Sequence, residues 1–194
     1  MKKAICVIFA AVFICVFFNG CSKKDGAESS RGEETGVKAD AVKITNDIDS
    51  TFKVQAQMQR DIFRSGGGDL GIVGNIEDGK LTISVSNPEE NFLHDPLDLD
   101  LGCDTEEMRI GELKISTSGA SVILDNSQSG WSLTIWFANK DGNVNFYGAD
   151  VPFKKGWNFF EGALGVPMEN PKIWTSLQDV YEKGYYKWTL VAHQ

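Results

Sequence analysis

The feature that most constrains this chain is a period-two alternation of apolar and polar residues. It starts near residue 50 and recurs to the C-terminus, interrupted by turn signals. In "TFKVQAQMQ", Phe52, Val54, Ala56 and Met58 alternate with polar neighbours, the pattern of a half-buried strand. "SGGGDLG" follows as a loop or a bulged strand start. "DLGIVGNIEDGKLTISVSNP" then reads as a hairpin, because Asp78-Gly79 suits a type I′ turn with positive φ at both positions. Pairing Glu77 with Lys80 sets Ile76 against Leu81 and Ile72 against Val85 on one face. Thr82, Ser84 and Ser86 fall on the other.

Residues 87–107, "NPEENFLHDPLDLDLGCDTEE", are acidic and turn-rich, a long loop or irregular edge. "RIGELKIST" and "ASVILDN" are two short strands. "GWSLTIWFANKDGNVNFYG" predicts a second hairpin around Asp141-Gly142, with Phe137 opposite Phe146 and Trp136 opposite Tyr147. One of its faces is apolar (Trp131, Leu133, Ile135, Phe137, Val144, Phe146). The other carries Ser132, Thr134, Trp136, Asn143, Asn145 and Tyr147. Gly156 turns the chain into a strand over Trp157 to Phe160. "NPKIWTSLQDVYEKG" predicts a helix with Pro171 in its first turn, an apolar stripe through Ile173, Trp174, Leu177, Val180 and Tyr181, and Gly184 at its end. "YYKWTLVA" closes the chain as a strand with Tyr186, Trp188 and Leu190 on one face. The expected fold is mainly β: eight to ten strands in an antiparallel β-sandwich, a closed β-barrel being the alternative, with one short helix in the C-terminal region.

The first forty residues differ in kind. Lys2 and Lys3 precede an unbroken apolar run of 15 residues, Ala4 to Phe18. That run is shorter than the ~20 residues needed to span a bilayer core, so it reads as a signal peptide over 1–20. Gly20 followed by Cys21 resembles the lipobox of bacterial lipoproteins. Phe18 and Asn19 stand where Leu and Ala or Ser are usual, a relaxed form similar to those of spirochaetes. The resemblance implies that the Cys21 thiol receives a diacylglycerol, that the signal is cut before it, and that the new N-terminus is acylated. Lipidation would anchor the chain to a membrane. Ser22 is not Asp, which by the family's sorting habit favours the outer over the inner membrane. "SKKDGAESSRGEETGVKADA", 22–41, has no aromatic residue and only Val37 as a large aliphatic. It reads as a disordered tether, giving the division 1–20 signal, 21–44 lipidated Cys and tether, 45–194 single β-rich domain.

Composition narrows the function. The chain has 27 acidic and 19 basic residues, net −8; removing residues 1–20 takes away two lysines and no acid, giving −10. Such a surface is a poor partner for nucleic acid. Cys6 and Cys15 leave with the signal and Cys21 is lipidated. Cys103 then has no partner for an intramolecular disulfide, and the domain relies on its core alone. No cofactor or metal is expected.

The motifs that could carry chemistry are few. Cys103 and His94, nine residues apart, are the only thiol–imidazole pair close in sequence. Asp95, Asp98, Asp100 and Asp104 cluster as calcium ligands do, but Leu101 and Gly102 break the EF-hand pattern, and a solvated acidic loop is the simpler reading. "SGGGDLG" lacks the Lys-Ser/Thr of a phosphate loop, and no Ser-centred elbow or metal-spaced His cluster is present. With no catalytic signature, the chain reads as a non-enzymatic structural or interaction module whose partner is a protein or a glycan. Trp131, Trp157, Trp174 and Trp188 are expected in the core. Trp136 and Tyr147, with Thr134 and Asn145 beside them, form the candidate glycan platform: apolar rings among hydroxyls and amides. "PFKKGWNFF" followed by "YKWTL" resembles a family of small β-rich bacterial lipoproteins in which Lys-Gly-Trp-Asn precedes a C-terminal strand. The likeness covers the last third of the chain and implies no activity.

Overall fold

Alternating parity is realised as antiparallel strands from residue 37 onward. The computed structural model describes residues 36–45, 50–59, 67–163 and 166–193. The expected signal segment, Cys21 and the part of the expected tether up to residue 35 lie outside them. In chain order the strands are β1 (Val37–Lys43), β2 (Phe52–Gln59), β3 (Asp69–Glu77), β4 (Lys80–Val85) and β5 (Gly102–Cys103). Then come β6 (Ile110–Ser116), β7 (Ala120–Asn126), β8 (Ser132–Ala138), β9 (Gly142–Phe146) and β10 (Ala149–Phe153). The rest are β11 (Gly156–Ala163), β12 (Val166–Pro167), β13 (Ile173–Trp174), helix α1 (Leu177–Tyr181) and β14 (Tyr186–Ala192).

The large sheet runs β1-β4-β3-β2-β6-β7-β8-β11-β12, with β14 paired to β7 and β13 to β11. It curls into a half-barrel. Thr45, just after β1, comes round to β14, where its N–H donates to the Trp188 carbonyl at 3.0 Å. The expected mainly β, antiparallel chain with one short late helix is what the structure holds, its main sheet partway between an open layer and a closed barrel. The β3–β4 hairpin has the expected register, Glu77 opposite Lys80 and Ile76 opposite Leu81. Asp78 (φ 50°) and Gly79 (φ 67°) supply the two positive φ values. Beyond Gly74 the reading fails for Ile72. Bulges on β3 place Val73 and Leu70 as extra residues against β2, so Ile72 lies opposite Gln55 and is 64% exposed, while Val73 and Leu70 pack on the core.

The tether boundary also needs correction. Residues 37–43 are not tether but the edge strand β1, paired with β4 through Val37–Val85 and Ala39–Ile83. Val37, Ala39 and Ile44 are buried. The strand is hard to see in sequence because alanine fills one inward position and a bulge between Ala39 and Val42, with Ala41 at φ 49°, breaks the alternation. The compact unit spans Glu34–Gln194.

The second expected hairpin does not form. β8 and β9 lie in different sheets. β8 pairs with β11 over its whole length, with the start of β6 and with the end of β7. β9 pairs with β10 and β5 in a separate three-stranded sheet. Neither Asp141 nor Gly142 adopts a left-handed φ; the Asp141 carboxylate instead accepts from the Lys155 N–H at 2.7 Å. Burial explains the outcome. Leu133, Ile135 and Phe137 face the half-barrel core, while Trp136 and Ala138 face a second core shared with Val144, Phe146, Val151 and Phe153 of the small sheet. A strand buried on both faces needs a neighbour that is also two-faced, and β11 is one: Trp157 and Phe159 point to the first core and Phe160 to the second.

Two smaller corrections follow. Trp131, expected in the core, is 38% exposed ahead of β8. Ile173 and Trp174 do not start the helix; they pair with β11, and α1 begins after Ser176, whose Oγ accepts from the Asp179 N–H at 3.1 Å. Gly184 (φ 75°) ends that segment as expected.

Because β1 is integral, limited proteolysis of the purified chain should stop just ahead of Val37. Starting the chain at Thr45 should lower stability by ~3 kcal/mol or more, since three buried apolar side chains are lost. A fragment beginning near residue 45 that keeps the stability of the longer chain would show β1 to be dispensable.

Candidate functional site

The structure divides the four residues of the expected platform into two places. Trp136 is 3% exposed in the second core, edge-on to Phe146 at 5.1 Å and stacked with Phe160 at 6.5 Å. Thr134 is also buried, and its hydroxyl donates to the Phe160 carbonyl at 3.1 Å. Neither can meet a ligand at the surface. The physical reason is the two-sided burial of β8: its second face, read as polar, lies against the small sheet.

Tyr147 and Asn145 stay together on the β9–β10 hairpin. Phe146 pairs with Ala149, leaving a two-residue turn of Tyr147 (φ 51°) and Gly148 (φ 102°), the positive–positive pattern of type I′. The Asn145 amide fastens it. Its Oδ1 accepts from the Gly148 N–H at 2.9 Å and its Nδ2 donates to Asp150 at 2.7 Å. Val144, Phe146, Val151 and Phe153 point inward and hold the sheet to the second core. Outward lie Asn143, Asn145, Asp150, Pro152 and, across from Asn145, Gly102.

The acidic loop is taken up by local structure. Asp95 caps a short 3-10 turn over Pro96–Leu99 by accepting from the Leu97 N–H at 2.9 Å, and Asp100 ends it at φ 58°. The two carboxylate oxygens of Asp104 accept from the Asn143 backbone N–H at 2.8 Å and its side-chain Nδ2 at 2.7 Å. The Asn143 side-chain bond is the largest of the contacts that hold the Asp104 carboxyl below its usual range. Among the described residues no three His, Cys, Asp or Glu side chains gather as they would around a metal ion. Cys103 is half-buried, its Sγ 3.4 Å from the Thr105 carbonyl and 3.6 Å from Met108 Sδ. His94 bridges Ile110 through the backbone.

"KKGWN" has a structural account. Asn158, fully buried, accepts from the Lys154 N–H at 2.8 Å and donates to the Lys154 and Gly156 carbonyls at 2.7 and 2.9 Å. Gly156 takes φ 100°, and Trp157 Nε1 donates to Asn87 at 3.0 Å. Asp141 reaches the same corner. Its carboxyl is held low, first by the Lys155 N–H and then by the Lys154 ammonium. The motif thus makes the corner at which the chain leaves the small sheet and enters β11.

Two acids escaped the sequence reading. Glu161 accepts from Tyr186 Oη at 2.8 Å and from the Asn126 amide. Burial first, then the Glu161 carboxylate, push the Tyr186 phenol well above its usual value. Glu112 is 2% exposed on β6, directly across from Trp136. Lys114 pairs with its Oε1, while Glu112 Oε2 and the Trp136 indole Nε1 have no partner among the described residues. Parity was the available signal: Glu112 shares a face with Ile110, so a second buried face on β6 would have enclosed it.

No family model, no curated protein and no solved structure matches the chain.

Burial pushes the Glu112 carboxyl up from 4.5, and Lys114 offsets that only in part. A raised value in the folded state means the neutral form is favoured there. The stability it contributes is complete below 4.5 and is lost as pH rises through the folded-state value. Relative to Glu112→Gln, the native chain should therefore be at its best in acid and lose ground as pH increases above 4.5, read as the difference between their melting temperatures. Parallel melting profiles across that range would contradict the assignment.

Proposed function

We propose that the chain is a lipid-anchored module of a bacterial cell envelope that works by interaction rather than by catalysis. The observation that carries the reading is Gly20-Cys21 at the junction of an apolar run and a charged segment, behind Lys2 and Lys3. Acylation at Cys21 would give an anchor of several chains, each buried CH₂ contributing ~0.8 kcal/mol. Among the described residues no helix is long and apolar enough to cross a membrane. The sheet starts at Val37, so the chain from Cys21 reaches at most about 55 Å, and the domain would work near the bilayer surface, in our reading that of the outer membrane. The interaction part of the reading draws on how the polar side chains are used. Asp95, Asp104, Asp141, Asn145 and Asn158 all hold turns and corners, and among the described residues they leave open faces rather than a converging set of reactive groups.

Cys21→Ala should abolish acylation and move the protein from the membrane fraction to the soluble fraction, seen by fractionation and intact-mass spectrometry. Unmodified Cys21 in the wild type, or a signal segment still attached, would overturn the anchor.

A further inference from the structure

We propose that the outer face of the β5–β9–β10 sheet, with Tyr147 at its tip, docks a neutral oligosaccharide. This rests on reading the chain as an interaction module and is independent of the lipid anchor. The turn itself raises the question. A two-residue turn with positive φ at both positions favours Gly, Asn or Asp: the Cβ of any L-residue crowds the following carbonyl oxygen, glycine has none, and the short polar side chains of Asn and Asp offset the cost by bonding locally. Here the first position is tyrosine at φ 51°, and its side chain is 61% exposed. Packing therefore does not account for the ring: a short polar residue would hold the same turn with less strain. Solvent-exposed aromatics set on a rigid support are what binding surfaces use as anchors.

The support is rigid for reasons already given. Four inward side chains hold the hairpin to the second core, and the Asn145 amide ties Gly148 to Asp150. The neighbouring outward groups are amides and carboxylates: Asn143, Asn145 and Asp150, with Asp104 beside Asn143. Gly102 keeps the row flat opposite Asn145. Charge and polarity choose the occupant. The outward strand positions carry no Lys or Arg, the Asp150 carboxylate lies among them with Asp104 beside Asn143, and the chain as a whole is at −8, so an anionic polymer is repelled. An apolar partner would find one ring and one proline. A neutral sugar matches: its hydroxyls can donate to the acceptor sites that Asp150 and Asp104 keep beyond their bonds to Asn145 and Asn143, and its C–H face stacks on the phenol ring.

The test uses the full chain in detergent over immobilised cellotetraose, chitotetraose and mannotetraose, with poly-L-lysine as a second surface, alongside thermal melts. The wild type should bind at least one of the sugars. Tyr147→Asn should weaken that binding roughly tenfold or more while raising the melting temperature by about 2–4 °C, because it relieves the turn. Tyr147→Phe should keep the binding, since it keeps the ring. Three results would overturn the proposal: no sugar retained by the wild type, sugar binding indifferent to Tyr147→Asn, or a lowered melting temperature in that variant. Tyr147-dependent retention on poly-L-lysine alone would overturn it in favour of a basic protein partner. None of these outcomes bears on Cys21 acylation, which fractionation reads separately.

Discussion

Burial of β8 on both faces is the constraint on which the rest of the structure depends. Five of its seven residues are divided between two cores, Leu133, Ile135 and Phe137 in one, Trp136 and Ala138 in the other: Phe137 meets Trp157 edge-on at 5.2 Å on one side, and Trp136 meets Phe146 and Phe160 on the other. A strand in that position cannot end in a two-residue hairpin back onto itself in the same layer. The chain must leave the large sheet after Ala138, build β9 and β10 as a cover over Trp136, and return as β11 on the free edge of β8. The splayed β6–β7 hairpin follows from the same demand, since β8 lies against the start of one strand and the end of the other.

The polar chemistry of the chain serves that route. Side chains fix its corners: Asp104 at the entry to β9, Asn145 at the β9–β10 turn, and Asp141 with Asn158 at the return into β11. Amides and carboxylates at such corners satisfy backbone groups that no strand neighbour reaches. The cost appears inside the wall, where Glu112 and Trp136 each keep one polar atom without a partner among the described residues. The outcome is a small sheet held from behind by the second core, whose front is open and polar.

Legibility in the sequence followed how local the deciding forces were. The β3–β4 hairpin was readable because Asp78-Gly79 sets its own turn and Ile76 and Leu81 share one core. Asp141-Gly142 carries the same dipeptide, but its fate is decided by Lys154 and Lys155 further along the chain. The warning lay in "LTIWFA", an apolar run interrupted only by Thr134, which is how a strand buried on both sides looks. β1 was missed for the opposite reason: Ala39 adds too little apolar surface for its alternation to stand out, and only pairing with β4 reveals it. Of the expected site, Tyr147 and Asn145 stay together because they are two residues apart, although Tyr147 sits in a turn and not in a strand opposite Trp136, whereas Trp136 and Thr134 were misplaced because their surroundings come from β11 and the small sheet. A signal segment and lipidation at Cys21 are proposals that rest on sequence alone.

Native-state amide hydrogen exchange tests the two-sided wall most directly. If β8 and β11 serve both cores, the amides of Ile135, Trp136 and Phe159 should exchange only through global unfolding, at the highest protection in the chain. Those of Val144 and Val151 in the small sheet should open at or below that free energy, never above it. Exchange of β8 through a lower-energy opening, with either core still protected, would contradict the account.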